Sequence, residues 1–145
     1  MKKAVILASA LIALSASAQA ASLTGKWSGK GAAVDHQGKT IACESVVLTI
    51  TQTASALSVG SDFTCEGQKF SFPGNVEIRG HELFDKGMKA GTISATALAL
   101  TIKDRNFILQ SNASFTDNAM NLRAVVSVAS NPAKPVLKFE SALKR

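Results

Sequence analysis

Phe107 to Val128 reads FILQSNASFTDNAMNLRAVVSV. Its centre, Asp117-Asn118, is a pair of turn-forming residues, and a two-residue turn there folds the stretch into a hairpin. That turn sets Phe115 opposite Met120, Ala113 opposite Leu122, Ser111 opposite Ala124, Leu109 opposite Val126 and Phe107 opposite Val128. All ten fall on one face. The other face carries Gln110, Asn112, Ser114, Asn121, Arg123 and Ser127, with Ile108 and Val125 as exceptions. A one-residue slip would exchange the faces, so the pattern fixes the register. An even-length turn around Asp104-Arg105 adds Leu98, Leu100 and Ile102 to the apolar face. Three consecutive strands agree on which side is the interior.

The same grammar runs along the rest of the chain. Short runs rich in Val, Ile, Thr and Phe alternate with turn-forming clusters, and no segment carries a helical period. The runs are 25–34, 39–51, 56–65, 69–72, 75–79, 82–85, 88–94, 97–103, 107–116, 119–129 and 136–143. His36-Gln37-Gly38, Glu66-Gly67-Gln68, Pro73-Gly74, Asp117-Asn118 and Asn131-Pro132 read as turns. Gly80–Gly87 has room for a single helical turn. Strands joined this tightly pair antiparallel. The expected fold is all-β, an up-and-down meander closed into a barrel of about eight to ten strands, because closure hides the edges and no long crossover is present.

Residues 1–20 stand apart. Lys2 and Lys3 precede an apolar run, Ala4 to Leu14, that is short for a membrane span, and Ala18-Gln19-Ala20 offers a small-x-small cleavage pattern. This is the signature of a bacterial signal peptide cut after Ala20, leaving residues 21–145 as one periplasmic or secreted domain. In an oxidising compartment Cys43 and Cys65, the two cysteines of the chain, are expected to form a disulfide. A hairpin centred on Ala54 places them directly opposite each other. With that centre, however, Val46, Leu48 and Ile50 share a face with Asp62 and Thr64. Either both faces are partly covered, or a bulge intervenes.

The formal charge is +6, and +4 without Lys2 and Lys3. Lys and Arg are scattered along the sequence with no basic stripe interleaved with aromatics, so nucleic acid is not an expected partner. A membrane-spanning barrel is not expected either, since the chain has no tyrosine for an aromatic girdle and ends Leu143-Lys144-Arg145.

Leu23-Thr24-Gly25-Lys26-Trp27-Ser28-Gly29-Lys30-Gly31 places the chain's single tryptophan among glycines. Gly25-Lys26-Trp27 at the head of an antiparallel meander resembles the calycin superfamily, the lipocalin and fatty-acid-binding-like barrels. The resemblance implies that Trp27 plugs one end of the barrel. It also implies an arginine from the last strands packed across the indole, for which Arg123 is the candidate. Gly25-Lys26-Trp27-Ser28-Gly29-Lys30-Gly31 is similar as well to the opening of nitrobindin-like haem barrels. Those use a late histidine as haem ligand, and no histidine follows His81 here.

No catalytic constellation is present. There is no Gly-x-Ser-x-Gly elbow, the cysteines are assigned to a disulfide, and Asp35-His36 and His81-Glu82 are sequence neighbours that a strand would point apart. The chain reads as a non-enzyme with no cofactor or metal. His81, Glu82 and Asp85 read as a polar rim loop. The leading expectation is a small apolar or amphipathic ligand held inside the barrel by Trp27, Leu100, Ile102, Phe107, Leu109, Phe115, Met120, Leu122, Val126 and Phe139. The first alternative is a filled barrel whose rim loop engages a protein partner as an interaction module or enzyme inhibitor. The second is a haem or nitric oxide carrier.

Overall fold

The computed structural model describes residues 22–145, so the leader and cleavage site read from residues 1–20 lie outside it. Ten strands follow in order: β1 (Gly25–Asp35), β2 (Thr40–Gln52), β3 (Ala56–Cys65), β4 (Gln68–Arg79), β5 (Glu82–Asp85), β6 (Met88–Ile93), β7 (Ala97–Lys103), β8 (Phe107–Phe115), β9 (Ala119–Val128) and β10 (Asn131–Lys144). Each pairs with the next, and β1 pairs antiparallel with β10, so the sheet closes on itself without a crossover. Among the described residues no helix is long and apolar enough to cross a membrane.

The Phe107–Val128 hairpin has the register its sequence dictates, from Phe115 opposite Met120 to Phe107 opposite Val128. Leu98, Leu100 and Ile102 of β7 face Ala113, Ser111 and Leu109 of β8, completing the inward rows. Cys43 and Cys65 are directly opposed and joined by a disulfide. The conflict around Ala54 is settled by a bulge. From Gln52 opposite Leu57 to Ser45 opposite Thr64 the hairpin is centred between Ala54 and Ser55, and one extra residue at Glu44 then restores the cysteine pair. The bulge turns Val46, Leu48 and Ile50 to the same side as Phe63, Ser61 and Val59, and all three are buried. It also appears on the other edge of β2, where Gly29 faces Val46 but Gly31 faces Cys43.

Three expected turns are placed differently. Pro73-Gly74 does not break the chain: β4 runs unbroken from Gln68 to Arg79 against β3, with Gly60 opposite Pro73. Proline is tolerated in this part of β4 because β5 reaches only Glu77–Arg79, leaving the upper half of β4 as an edge. The last turn lies at Ala129-Ser130, and Asn131-Pro132 already belongs to β10, whose pairing with β9 shifts between Asn131 and Leu137. Gly80–Gly87 holds the short strand β5 rather than a helical turn. Both Glu66-Gly67 and Lys86-Gly87 have positive φ at each residue, as two-residue hairpin turns that match strand twist require.

Two glycines beside Trp27 are explained by β10. A Cβ on Gly29 would collide with the carbonyl oxygen of Ala142, and one on Gly31 would come within 2.8 Å of the Phe139 ring. Glycine there lets the first and last strands close the barrel tightly.

Candidate functional site

Inward-facing side chains divide the barrel into a sealed end and an open end. At the sealed end Trp27 is 0% exposed, and Leu48, Leu57, Leu83, Phe115, Met120 and Leu143 pack around it. The segment before β1 folds across this end as a cover: Leu23 is buried, its N–H donates to the Gln52 side chain at 2.9 Å, and its carbonyl accepts from Trp27 Nε1 at 2.9 Å. Arg145 completes the seal. Its guanidinium carbon lies 4.3 Å from the centre of the Trp27 ring, and its nitrogens donate to the Thr24 and Ser22 carbonyls at 3.2 and 2.7 Å. Arg145 therefore does what was expected of Arg123. Arg123 instead points outward to Glu140 at 3.3 Å, because its position on β9 alternates with inward Leu122 and Ala124.

Above this floor the inward rows change character. The first row above it, Ser141, Leu122, Ala113, Leu98 and Ile93, is still largely closed, with Ser141, Ala113 and Ile93 buried. The row after that across β10, β9, β8, β7 and β6 is Phe139, Ala124, Ser111, Leu100 and Gly91. Ala124 and Ser111 are small, Gly91 has no side chain and packs its Cα against the Ala99 carbonyl, and all but Phe139 are half-buried. The row above, Leu137, Val126, Leu109 and Ile102, is apolar and likewise only half-buried. At the mouth Phe107 is 40% exposed, while Phe70 and Phe72 on β4 are 42% and 58% exposed. Side chains that point into a filled barrel lose contact with water altogether. These rows keep part of their surface exposed, in contrast to the floor.

The mouth is extended by a notch in the wall. β5 and β6 have only four and six residues, so their hairpin ends at Lys86-Gly87 well below the tops of β4 and β7. Gln68–Asn75 of β4 has no partner on that side, nor has Thr101–Lys103 of β7. An aromatic cluster stands beside the notch: Phe63 lies 6.1 Å from Phe72 and 5.3 Å from Phe139, edge to face in the second case. The Cys43–Cys65 disulfide ties β2 to β3 at this same end.

Polarity is arranged equally clearly. None of the inward positions fixed by strand pairing holds Lys or Arg, and acids enter those rows only at the top of the wall, at Asp35 and Asp85. The Asp35 carboxylate accepts from the Lys39 and Gln37 N–H groups, both at 2.9 Å. The bond from Lys39 is the chief cause that holds its pKa below the usual carboxylate range, with smaller help from Gln37 and the charges of His36 and Lys39.

Of the residues expected to line a ligand, Leu100, Ile102, Phe107, Leu109, Leu122, Val126 and Phe139 share the interior or its mouth. Trp27, Phe115 and Met120 do not: they are the sealed floor. Phe63, Phe70 and Phe72 belong to the mouth and were not anticipated. Their signal was obscured by the Glu44 bulge and by Pro73-Gly74, which imitates a turn. His81, Glu82 and Asp85 do not form one rim loop. His81 sits in the β4–β5 turn at the sealed end, Glu82 pairs with Lys89 at 2.8 Å, and Asp85 ends β5 beside the notch. Among the described residues no group of three His, Cys, Asp or Glu is placed to hold a metal. Both histidines are exposed in turns, His36 at the mouth and His81 at the opposite end, so neither offers an axial ligand to a haem inside the barrel.

No protein-family model matches this chain, and no curated protein is similar to it in sequence. Among solved structures it is similar to a DUF3598-family protein of unknown function from Nostoc punctiforme, with a TM-score of 0.62 and 15% identity over 85% of this chain. The match covers 47% of that protein, so this chain spans about half its length. The likeness is one of fold.

Proposed function

We propose that this is an exported, calycin-like barrel that binds a small apolar or amphipathic molecule in the open half of its interior and performs no chemistry on it. The observation that carries the reading is that Ala124, Ser111 and Leu100 face inward above a sealed floor and yet are only half-buried. Arg145 over Trp27 supports the calycin resemblance, since it supplies the arginine that resemblance implies. Burial is the driving force. A ligand losing about 300 Å² of apolar surface gains roughly 7 kcal/mol at 25 cal/mol per Å², before the cost of association. With no Lys or Arg among the paired inward positions and acids at the rim, the ligand's polar end is uncharged or cationic rather than a carboxylate.

The test is fluorescence titration with N-phenyl-1-naphthylamine, an uncharged apolar probe, followed by displacement with dodecanol or laurate. The wild-type protein binds the probe, and dodecanol displaces it at lower concentration than laurate. Ala124→Trp fills the interior, lowers probe affinity at least tenfold and leaves the melting temperature nearly unchanged. A wild-type protein that does not bind the probe, together with an Ala124→Trp variant destabilised by overpacking, would show that the interior is already full.

A further inference from the structure

Basic residues that are scattered along the sequence meet on one wall. Lys26 and Lys30 of β1, Arg123 of β9, and Lys138 and Lys144 of β10 alternate with inward residues and point outward. Glu140 is the one acid among the outward positions of these three strands, and it is paired with Arg123 at 3.3 Å. Six of the ten acidic residues lie instead between positions 44 and 85.

The same wall is hollowed. A groove of about 1090 Å³ crosses the outer face from β6 to β1. Strand register aligns its lining into rows. One row runs Thr92, Ala99, Asn112, Arg123, Glu140 and Ala32, and the row beside it includes Ser114, Asn121 and Lys30. Six strands at the usual spacing give it a length of about 24 Å.

We propose that this groove binds an anionic polysaccharide laid across the strands. The alanines keep the floor flat, so a sugar ring can approach the sheet closely. Asn112, Asn121, Ser114 and Thr92 offer donors and acceptors together, which is what a row of hydroxyl groups requires. Lys30 and the neighbouring Lys138 and Lys144 supply the complementary charge. A protein partner fits less well, because Ile93, Leu98 and Leu122 of the lining point to the barrel interior and the outward positions carry alanines and small polar residues rather than a Phe, Trp or Leu pocket for an interface anchor. A bilayer fits less well because the surface is concave. The charges are exposed, so binding weakens as salt rises.

The experiment compares alginate oligosaccharides with poly-L-glutamate of matched charge by isothermal titration at low salt. Both polymers carry carboxylates, but only the first carries hydroxyl groups. The wild-type protein binds alginate more tightly. Asn112→Ala with Asn121→Ala, which leaves the net charge unchanged, lowers alginate affinity at least fivefold without affecting poly-L-glutamate. Lys30→Ala with Arg123→Ala weakens both by tenfold or more, while circular dichroism shows each variant folded. Equal affinity for the two polymers would overturn the proposal in favour of simple charge attraction. Absence of binding to either, or alginate binding insensitive to the Asn112 and Asn121 changes, would overturn it outright.

Discussion

Replacing Trp27 by Ala is expected to lower stability by about 4 kcal/mol, the usual cost of removing a fully buried large aromatic side chain. In a domain of this size that shifts the thermal midpoint by roughly 12 °C. The indole is in contact with both the floor of the core and the cover formed by the residues before β1. Its loss leaves a cavity among Leu48, Leu57, Leu83 and Leu143, frees the Leu23 carbonyl and removes the surface on which Arg145 rests. Arg145→Ala should cost less, about 1 kcal/mol, because the guanidinium is near solvent and its partners are backbone carbonyls that water can serve. Thermal unfolding followed by circular dichroism measures both. If the Trp27 variant lost less than about 1 kcal/mol, the sealed-end assignment would be untenable.

The disulfide should rank next. Cys43 and Cys65 are separated by 22 positions, and a cross-link closing a loop of that size restricts the unfolded chain by roughly 3 kcal/mol. Changing both residues to Ala, or reducing the wild-type protein, should therefore bring the denaturation midpoint down by similar amounts. The loss falls at the mouth, where β4 has an unpaired edge and the Phe63–Phe72 cluster has little else to hold it. Hydrogen exchange should accelerate first in β3 and β4 and last around Trp27. Uniform acceleration through the barrel would show that the bond acts only through the unfolded state.

The sequence was most readable where strands alternate without interruption. In β7, β8 and β9 every second residue is apolar except Ser111, the turn at Asp117-Asn118 is short, and the register followed with no long-range information. The Cys43–Cys65 opposition was legible despite the wrong centre at Ala54, because the extra residue at Glu44 offsets the half-residue error. The side of the barrel made from β2 to β4 was not. One extra residue at Glu44 inverts the parity of half a strand, and nothing in the local composition announces it. Pro73-Gly74 carries the composition of a turn, yet lies on an edge where a missing N–H costs little. The consequence reached the candidate site: Phe70 and Phe72 were assigned to no face, and Phe63, on the face of the cysteines, to no site. Arg145 escaped notice because its role arises from ring closure, which brings the chain's two ends together. The outer groove escaped for the same reason, since Lys30 is 93 positions from Arg123 and 108 from Lys138 and becomes their neighbour only when β1 meets β10.

The central claim is that the open half of the barrel holds a small molecule. Native mass spectrometry of the protein, purified gently under non-reducing conditions and exposed to a bacterial lipid extract, tests it most directly. The account predicts a mass above that of the disulfide-bonded chain by a few hundred daltons, about the mass of one small ligand, lost on denaturation and absent from the Ala124→Trp variant. A bare chain before and after exposure, with Ala124→Trp destabilised, would mean that the interior is filled and the ligand-binding account is wrong.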